Sequence, residues 1–234
     1  DIIHQLHNLS SEKYKSHIIK MGIPALNCLG VPLQDIRQLA KTIGHSNQLG
    51  FQLWKSQYHD AKLLAVLIFE YKQMTFDDIN LLIKDVISWD LCNHLCKNLI
   101  IKIKGYQLLI PQWVTSQHIY VKRAAFVLLA SDVIHNKNIL DSTLDTYLHF
   151  IRDYSHDEHI HIKKAISTAL KEIGKKDFDY HEKALLLSNE LIQDGDKVQR
   201  WIANDAKKEL EKLVKVQGRS RLISRHSLMG KEEH

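Results

Sequence analysis

Residues Val121–Leu129 read VKRAAFVLL, and the same kind of stretch returns along the chain: AKLLAVLI at Ala61–Ile68, LCNHLCKNL at Leu91–Leu99, IKKAISTAL at Ile162–Leu170 and IANDAKKEL at Ile202–Leu210. Each carries apolar residues at steps of three and four, the spacing of one helix face. Small residues at matched places, Ala61, Ala124, Ala125 and Ala165, let neighbouring helices approach closely. The copies recur at intervals of roughly 30 and then roughly 40 residues, the range of stacked helix pairs that cannot bury their apolar stripes alone. The pattern predicts an all-α, HEAT-like (ARM/HEAT-type) helical-repeat solenoid of at least five antiparallel helix pairs, with no β-sheet.

The rest of the sequence agrees with that reading. Only three prolines and nine glycines punctuate 234 residues, too few for an all-β chain. Helices are predicted at 33–43, 59–71, 76–86, 89–103, 106–114, 118–134, 141–152, 159–173, 180–192 and 198–214. Pro32 opens the first of them and Gly44 closes it as a left-handed cap. Thr75 with Asp78, and Ser142 with Asp145, have the form of N-terminal capping boxes. Gly174 followed by Lys175 and Lys176 reads as a helix end with cations on its negative terminus. One domain is expected over residues 1–214, followed by a basic, frayed tail over 215–234.

Composition narrows the chemistry. No apolar run approaches the roughly 18 residues of a membrane span, and no signal-peptide pattern opens the chain; a cytoplasmic, at most nucleoid-associated, monomer is expected. Three cysteines are not a disulfide framework. Cys92 and Cys96 flank His94, but a structural zinc site needs four ligands converging from separate turns, so they read as buried thiols. HDEHIH at residues 156–161 has the look of a metal cluster yet sits at a helix start, where acids are expected. No cofactor and no metal is expected. No Gly-rich phosphate loop, nucleophile elbow or zinc-deaminase signature is present. Trp54, Trp113 and Trp201 lie in apolar helical patterns and are assigned to the core.

The net charge of +5 is mild, but its placement is patterned. Lys62, Lys97, Lys122 with Arg123, Lys163 with Lys164, and Lys207 with Lys208 recur on the aligned helices. In a curved solenoid equivalent positions line one surface, so these residues are expected to form a concave basic face, with double-stranded DNA as the partner. Ordinary solvated helix faces would give the same pattern.

Four segments in order carry a more specific resemblance. LGVPLQDIRQLAK at Leu29–Lys41, Ser88-Trp89-Asp90, Val121–Phe126, and Lys163–Ile166 with Ala169–Glu172 are together similar to the HEAT-like-repeat, AlkD-like DNA glycosylases of alkylation repair, over residues 29 to 213. That resemblance implies excision of cationic alkylated purines between two tryptophans, with a carboxylate one turn after the first. Stabilising an oxocarbenium-like state is the main task, because a cationic base already leaves well. It also implies reading the lesion without base flipping.

Carried over by position, the first tryptophan is Trp89, the catalytic aspartate falls on Asn93 and the second tryptophan on Thr168. Arg123 is the arginine of the "RAA" helix and is expected to hold a phosphate. Asn is isosteric with Asp but cannot stabilise a cation by full charge, a loss worth on the order of 10²–10³ in rate. Asp90, three residues earlier, is the candidate for a rescue. Met21-Gly22-Ile23-Pro24 interrupts helical propensity ahead of Gly30, which implies a reduced grip on DNA by the amino-terminal segment. The expected function is weak binding of DNA, alkylated or not, with little or no alkylpurine excision. An active N-glycosylase and a protein-interaction scaffold are the alternatives.

Overall fold

The computed structural model describes residues 1–232, and most of them are helical. The packing divides between Tyr106 and Gln107 into two compact units, where the sequence suggests one continuous domain. The division falls where the expected helices 89–103 and 106–114 break into 3₁₀ turns at Ile100–Lys102 and Tyr106–Leu108. Ile100, Ile101 and Ile103 are β-branched and lose side-chain freedom in a helix. Gly105, between the two 3₁₀ turns, takes φ 81°.

The first unit contains α1 (Ile2–Asn8), α2 (Glu12–Lys20), α3 (Leu33–Ile43), α4 (Asn47–Lys55), α5 (His59–Ile68), α6 (Phe76–Lys84) and α7 (Trp89–Asn98). α4 and α5 form a short-looped antiparallel pair, and α5 also packs against α3 and α7. Leu64, Ile68, Phe69, Ile79 and Leu95 are fully or almost fully buried there. Gly50 lets α4 approach Phe69, whose ring atoms would lie within 2.8 Å of an added Cβ. The capping box of Thr75 and Asp78 is formed in both directions. Gly44 has the positive φ expected of it. Three helices, α1, α2 and α4, lie outside those expected. α2 buries no residue fully, so no strong apolar stripe marks it; Ser11 accepts from the Tyr14 amide and caps it.

The second unit contains α8 (Leu109–Trp113), α9 (Ile119–His135), α10 (Asp141–Asp153), α11 (Ile160–Gly174), α12 (Phe178–Gln193) and α13 (Lys197–Leu210). α11 packs between α9 and α13, so the repeated stretches at 121, 162 and 202 do stack on one another. α9 is buried nearly all round, as a central helix should be.

Several local expectations are corrected here. Ser142 does not cap α10; the helix begins at Asp141, and Asp145 instead accepts from Tyr180 and Lys183. The helix end read at Gly174 is formed: Gly174 is the last residue of α11, and Lys175 follows it as the cap in αR geometry. An added Cβ there would meet Leu210 Cδ2 at 2.4 Å and Ala184 Cβ at 3.1 Å, so the glycine also serves helix packing. The tail is not frayed over its described residues. After α13, β1 (Leu213–Val214) pairs antiparallel with β2 (Ile223–Ser224), a two-stranded exception to the expected absence of sheet. A short α14 (Leu228–Glu232) follows; residues 233–234 lie outside the described residues. Arg221 locks the segment down, donating to the Val133 and Glu172 carbonyls and to the Glu172 carboxylate. Leu222 is buried beside it.

Side-chain ties recur at the repeat period. In the first unit Asp60 accepts from Leu29, His59 bonds Asp90, Trp54 donates to Asp85 and His94 bonds Leu63, each 31 residues apart. In the second, Arg123 to His161, Arg152 to Glu190 and Ser167 to Asp205 are 38 apart.

Candidate nucleic-acid site

The first unit carries an open cleft of about 340 Å³ between α2, α3 and α7. Its walls come from Tyr14 and Ile18 of α2, Leu33 and Arg37 of α3, and Trp89, Asp90, Asn93 and Lys97 of α7. Residues i, i+4 and i+8 share a helix face, which is why Trp89, Asn93 and Lys97 line it together.

Trp89 is held by its edge. The indole N–H donates to the Met21 carbonyl at 3.0 Å, in the turn where Gly22 takes φ 90°. The Met21–Pro24 interruption therefore ends α2 in a turn that anchors a site residue, and α2 itself supplies the opposite wall. Asp90 lies in the first turn of α7, and its Oδ2 is 2.8 Å from His59 Nε2. Burial opposes its ionisation, but the His59 bond and further hydrogen bonds outweigh that and hold its pKa below the usual 3.8. Next to it, the buried Asp60 accepts from the amides of Leu29 at 2.6 Å and Val31 at 2.8 Å. That bond pair shapes the Leu29–Val31 turn leading into α3. Burial beside Asp60 also pushes the Cys28 thiol up to about 11.

His94 backs the cleft. Nε2 is 3.0 Å from the Leu63 carbonyl and so carries the proton, while Asn98 Nδ2 donates to Nδ1 at 3.1 Å. Burial, with the Arg37 charge adding to it, lowers its pKa to about 4. The ring is a neutral, fixed support for α7. Tyr14, Arg37 and Asn98 are not marked as site residues by the sequence, and His94 stands out there only for its place between Cys92 and Cys96. Arg37 is the most legible of them, since it is the arginine within the Leu29–Lys41 segment; Tyr14 and Asn98 carry no motif.

The expected basic residues separate. Lys97 and Arg37 are exposed cations at the cleft rim. Lys62 lies over the Trp54 ring, 5.4 Å from its centroid. In the second unit Lys122 is mostly buried, 3.9 Å from Asp157. Arg123 is 8 % exposed and donates to the His161 carbonyl, so it braces α9 against α11 and is not displayed to a phosphate. Lys163 sits over Trp201 at 4.5 Å, whereas Lys164 is exposed. Neighbours on a helix point about 100° apart, and the four residues expected together do not share one basic surface. Further along α11, Lys171 pairs with Asp205 and Lys175 with Glu209. Thr168 is an exposed residue of α11.

The other candidates are structural. Trp54 and Trp113 are buried; Trp201 is only half-buried, beneath Lys163. All three cysteines are buried and free. His156 bonds Asp196, and His159 accepts from the His161 amide to cap α11. Among the described residues no cluster of His, Cys, Asp or Glu is arranged to hold a metal ion, and no helix is long and apolar enough to cross a membrane.

Fold and site together point to a class, the HEAT-like repeat proteins related to DNA glycosylases. The sequence matches the family described as DNA alkylation repair enzyme over residues 2–210, and the chain belongs to that family. Among solved structures it is similar to a protein of a family described as related to the HEAT-like repeat DNA glycosylases and as having affinity for branched DNA structures. The identity is 19 %, with 90 % of this chain and 92 % of that one covered and a TM-score of 0.75. AlkD2 from Streptococcus mutans is similar at 18 % identity, covering 76 % and 89 %, with a TM-score of 0.57. The smu.31 protein of Streptococcus mutans UA159 follows at 21 % identity, 75 % and 92 % coverage and a TM-score of 0.56. At these identities the likeness establishes the fold. Among curated proteins, no sequence is significantly similar to the chain.

Proposed function

We propose that this chain binds DNA, branched DNA above all, and excises alkylated purines very slowly or not at all. The observation that carries the reading is Asn93: a carboxamide stands one turn after Trp89 in the cleft, where the family resemblance calls for a carboxylate. A neutral amide cannot offset positive charge developing on a sugar, and such a loss costs on the order of 10²–10³ in rate. Thr168, where the resemblance calls for the second tryptophan, carries no aromatic ring either. The similarity to a protein with affinity for branched DNA supports the choice of partner.

Two measurements test this. Release of 3-methyladenine or 7-methylguanine from alkylated duplex DNA is expected to be at least about a hundredfold slower than for a relative with both Asp and Trp. Asn93→Asp should recover part of the activity and Asn93→Asp with Thr168→Trp more, without strict additivity. Affinity for a three-way junction should exceed that for linear duplex and fall with log salt at a slope of about −0.9 per phosphate contacted. Multiple-turnover excision by the unaltered chain would sink the reading. One observation favours that second reading: Asp90 is an ionised carboxylate lining the same cleft. Asp90→Asn should then abolish release.

A further inference from the structure

We infer that the groove between α10 and α12 is a docking site for a partner protein, and that its occupant is a basic segment carrying Lys or Arg beside a large apolar side chain. The groove belongs to the second unit alone, and the inference does not depend on the DNA-binding reading above.

α10 and α12 run side by side in the same direction, joined by three rungs. Tyr180 donates to the Asp141 carbonyl, Lys183 pairs with Asp145 at 2.7 Å, and Arg152 pairs with Glu190 at 2.8 Å. Open pits lie between the rungs. One, of about 410 Å³, sits at the helix N-termini with Asp141, Asp179, Tyr180 and Glu182 in its walls. The other, of about 340 Å³, sits between the Lys183 and Arg152 rungs, with the buried Leu148 and Leu187 as its floor. Lys183 and Leu186 line both pits, which therefore form one groove.

The rim of this groove is apolar where water should favour polar groups. Phe178, Glu182 and Leu186 are four residues apart and share one face of α12; Phe178 is 61 % and Leu186 62 % exposed. Leu140, next to Asp141 at the same end, is 67 % exposed. A single exposed leucine is ordinary, whereas three large apolar side chains about one groove mark a surface that another protein covers.

Charge selects the partner. The chain as a whole carries +5, yet this groove is acidic. Its two cations are committed: Arg152 meets Glu190 through two bonds, and Lys183 holds Asp145 and lies over the Tyr180 ring. Asp141, Asp179 and Glu182 face the first pit and stand outside the ion pairs of the described residues. The helix dipole accounts for an acid in a first turn, which covers Asp141 and Asp179. It accounts neither for Glu182, a turn further on, nor for the exposed apolar residues. Such a field repels phosphate and draws Lys or Arg. The first pit thus suits a cationic side chain and the second an apolar one, on one and the same segment.

The test uses the full-length protein and a fluorescein-labelled peptide, Arg-Ser-Leu-Ser three times over, followed by fluorescence anisotropy. One control peptide has every Arg replaced by Glu, the other every Leu replaced by Ser. The Arg–Leu peptide is expected to bind at least about tenfold more tightly than either control. Leu186→Ser, and separately Asp179→Asn with Glu182→Gln, should each weaken it about fivefold. These positions are exposed, so the fold tolerates the changes, and affinity for duplex DNA should stay within about twofold. Equal affinity for the three peptides, or an affinity that neither variant alters, would overturn the inference. Loss of duplex affinity in Leu186→Ser would overturn it by giving the groove to nucleic acid. A dimer in sedimentation that Leu186→Ser dissociates would overturn it by giving the groove to a second copy of this chain.

Discussion

Residues 1–106 tie successive helix pairs with buried and part-buried ties 31 residues apart, whereas residues 107–232 use part-buried and exposed ties 38 apart. Asp60 is 1 % exposed and accepts two backbone amides; Arg152 and Glu190 are about two-fifths exposed and meet as a two-pronged pair. A buried carboxylate is tolerated only when hydrogen-bonded, and once bonded it fixes its partners closely. An exposed pair contributes little and is screened by salt. The second unit has its own buried acid, Asp132, which takes the Tyr147 and Gln107 side chains, but that tie stays within 25 residues. The comparison teaches where precision is needed. The unit with the cleft spends buried polar chemistry on holding Leu29–Val31 and the start of α7, the elements that shape the cleft. The other unit gets longer helices and a larger apolar stack.

The largest expected effect is at Asp60. Asp60→Ala leaves two amides without their acceptor and should cost about 4 kcal/mol, at the upper end for a buried charged partner. Urea denaturation would read it, with hydrogen exchange showing protection lost first in residues 1–106. A cost below about 1 kcal/mol would erase the distinction between the units.

Acid should act next. His94 has its pKa lowered from 6.5 to about 4, so the unfolded chain binds this proton more readily than the folded one. The stabilisation is complete above pH 6.5 and is lost as pH falls toward 4, roughly 3 kcal/mol in all. His94→Gln should flatten that part of the stability profile. An unchanged profile would mean that His94 is not the group responsible.

In the second unit, Gly174→Ala drives a Cβ into Leu210 and Ala184, and overpacking of this kind costs about 1–3 kcal/mol. A melting temperature unmoved by the change would show that α11 and α13 can shift apart. The smallest effect is expected of Glu209→Gln, which loosens the Lys171 and Lys175 pairs. Those pairs are partly exposed, so the loss should be under about 1 kcal/mol and should vanish in high salt. A larger loss, insensitive to salt, would place these pairs with the buried ties of the first unit.

Much of this protein was legible in the chain. The stretches at 61 and 91 in the first unit, and at 121, 162 and 202 in the second, announced the helices that pack within each, because an apolar stripe at 3.6-residue spacing must find a neighbour whatever its identity. Trp89 and Asn93 were likewise readable, since a spacing of four puts two side chains on one face. α2 was not, because a helix that buries nothing fully leaves only its cap to betray it. Nor was the division at Tyr106, which depends on how three isoleucines interrupt a helix. Which cations are displayed was decided by tertiary structure alone. Lys122, Arg123, Lys163 and Lys164 look equivalent in sequence, yet Arg123 is buried on the His161 carbonyl and Lys163 covers Trp201. The stacking of helices within each unit and the shared face of Trp89 and Asn93 follow from local spacing and residue type. The cleft, with α2 as its wall and Trp89 pinned to Met21, arose only from groups distant in the chain meeting in space, 68 residues apart in that last bond.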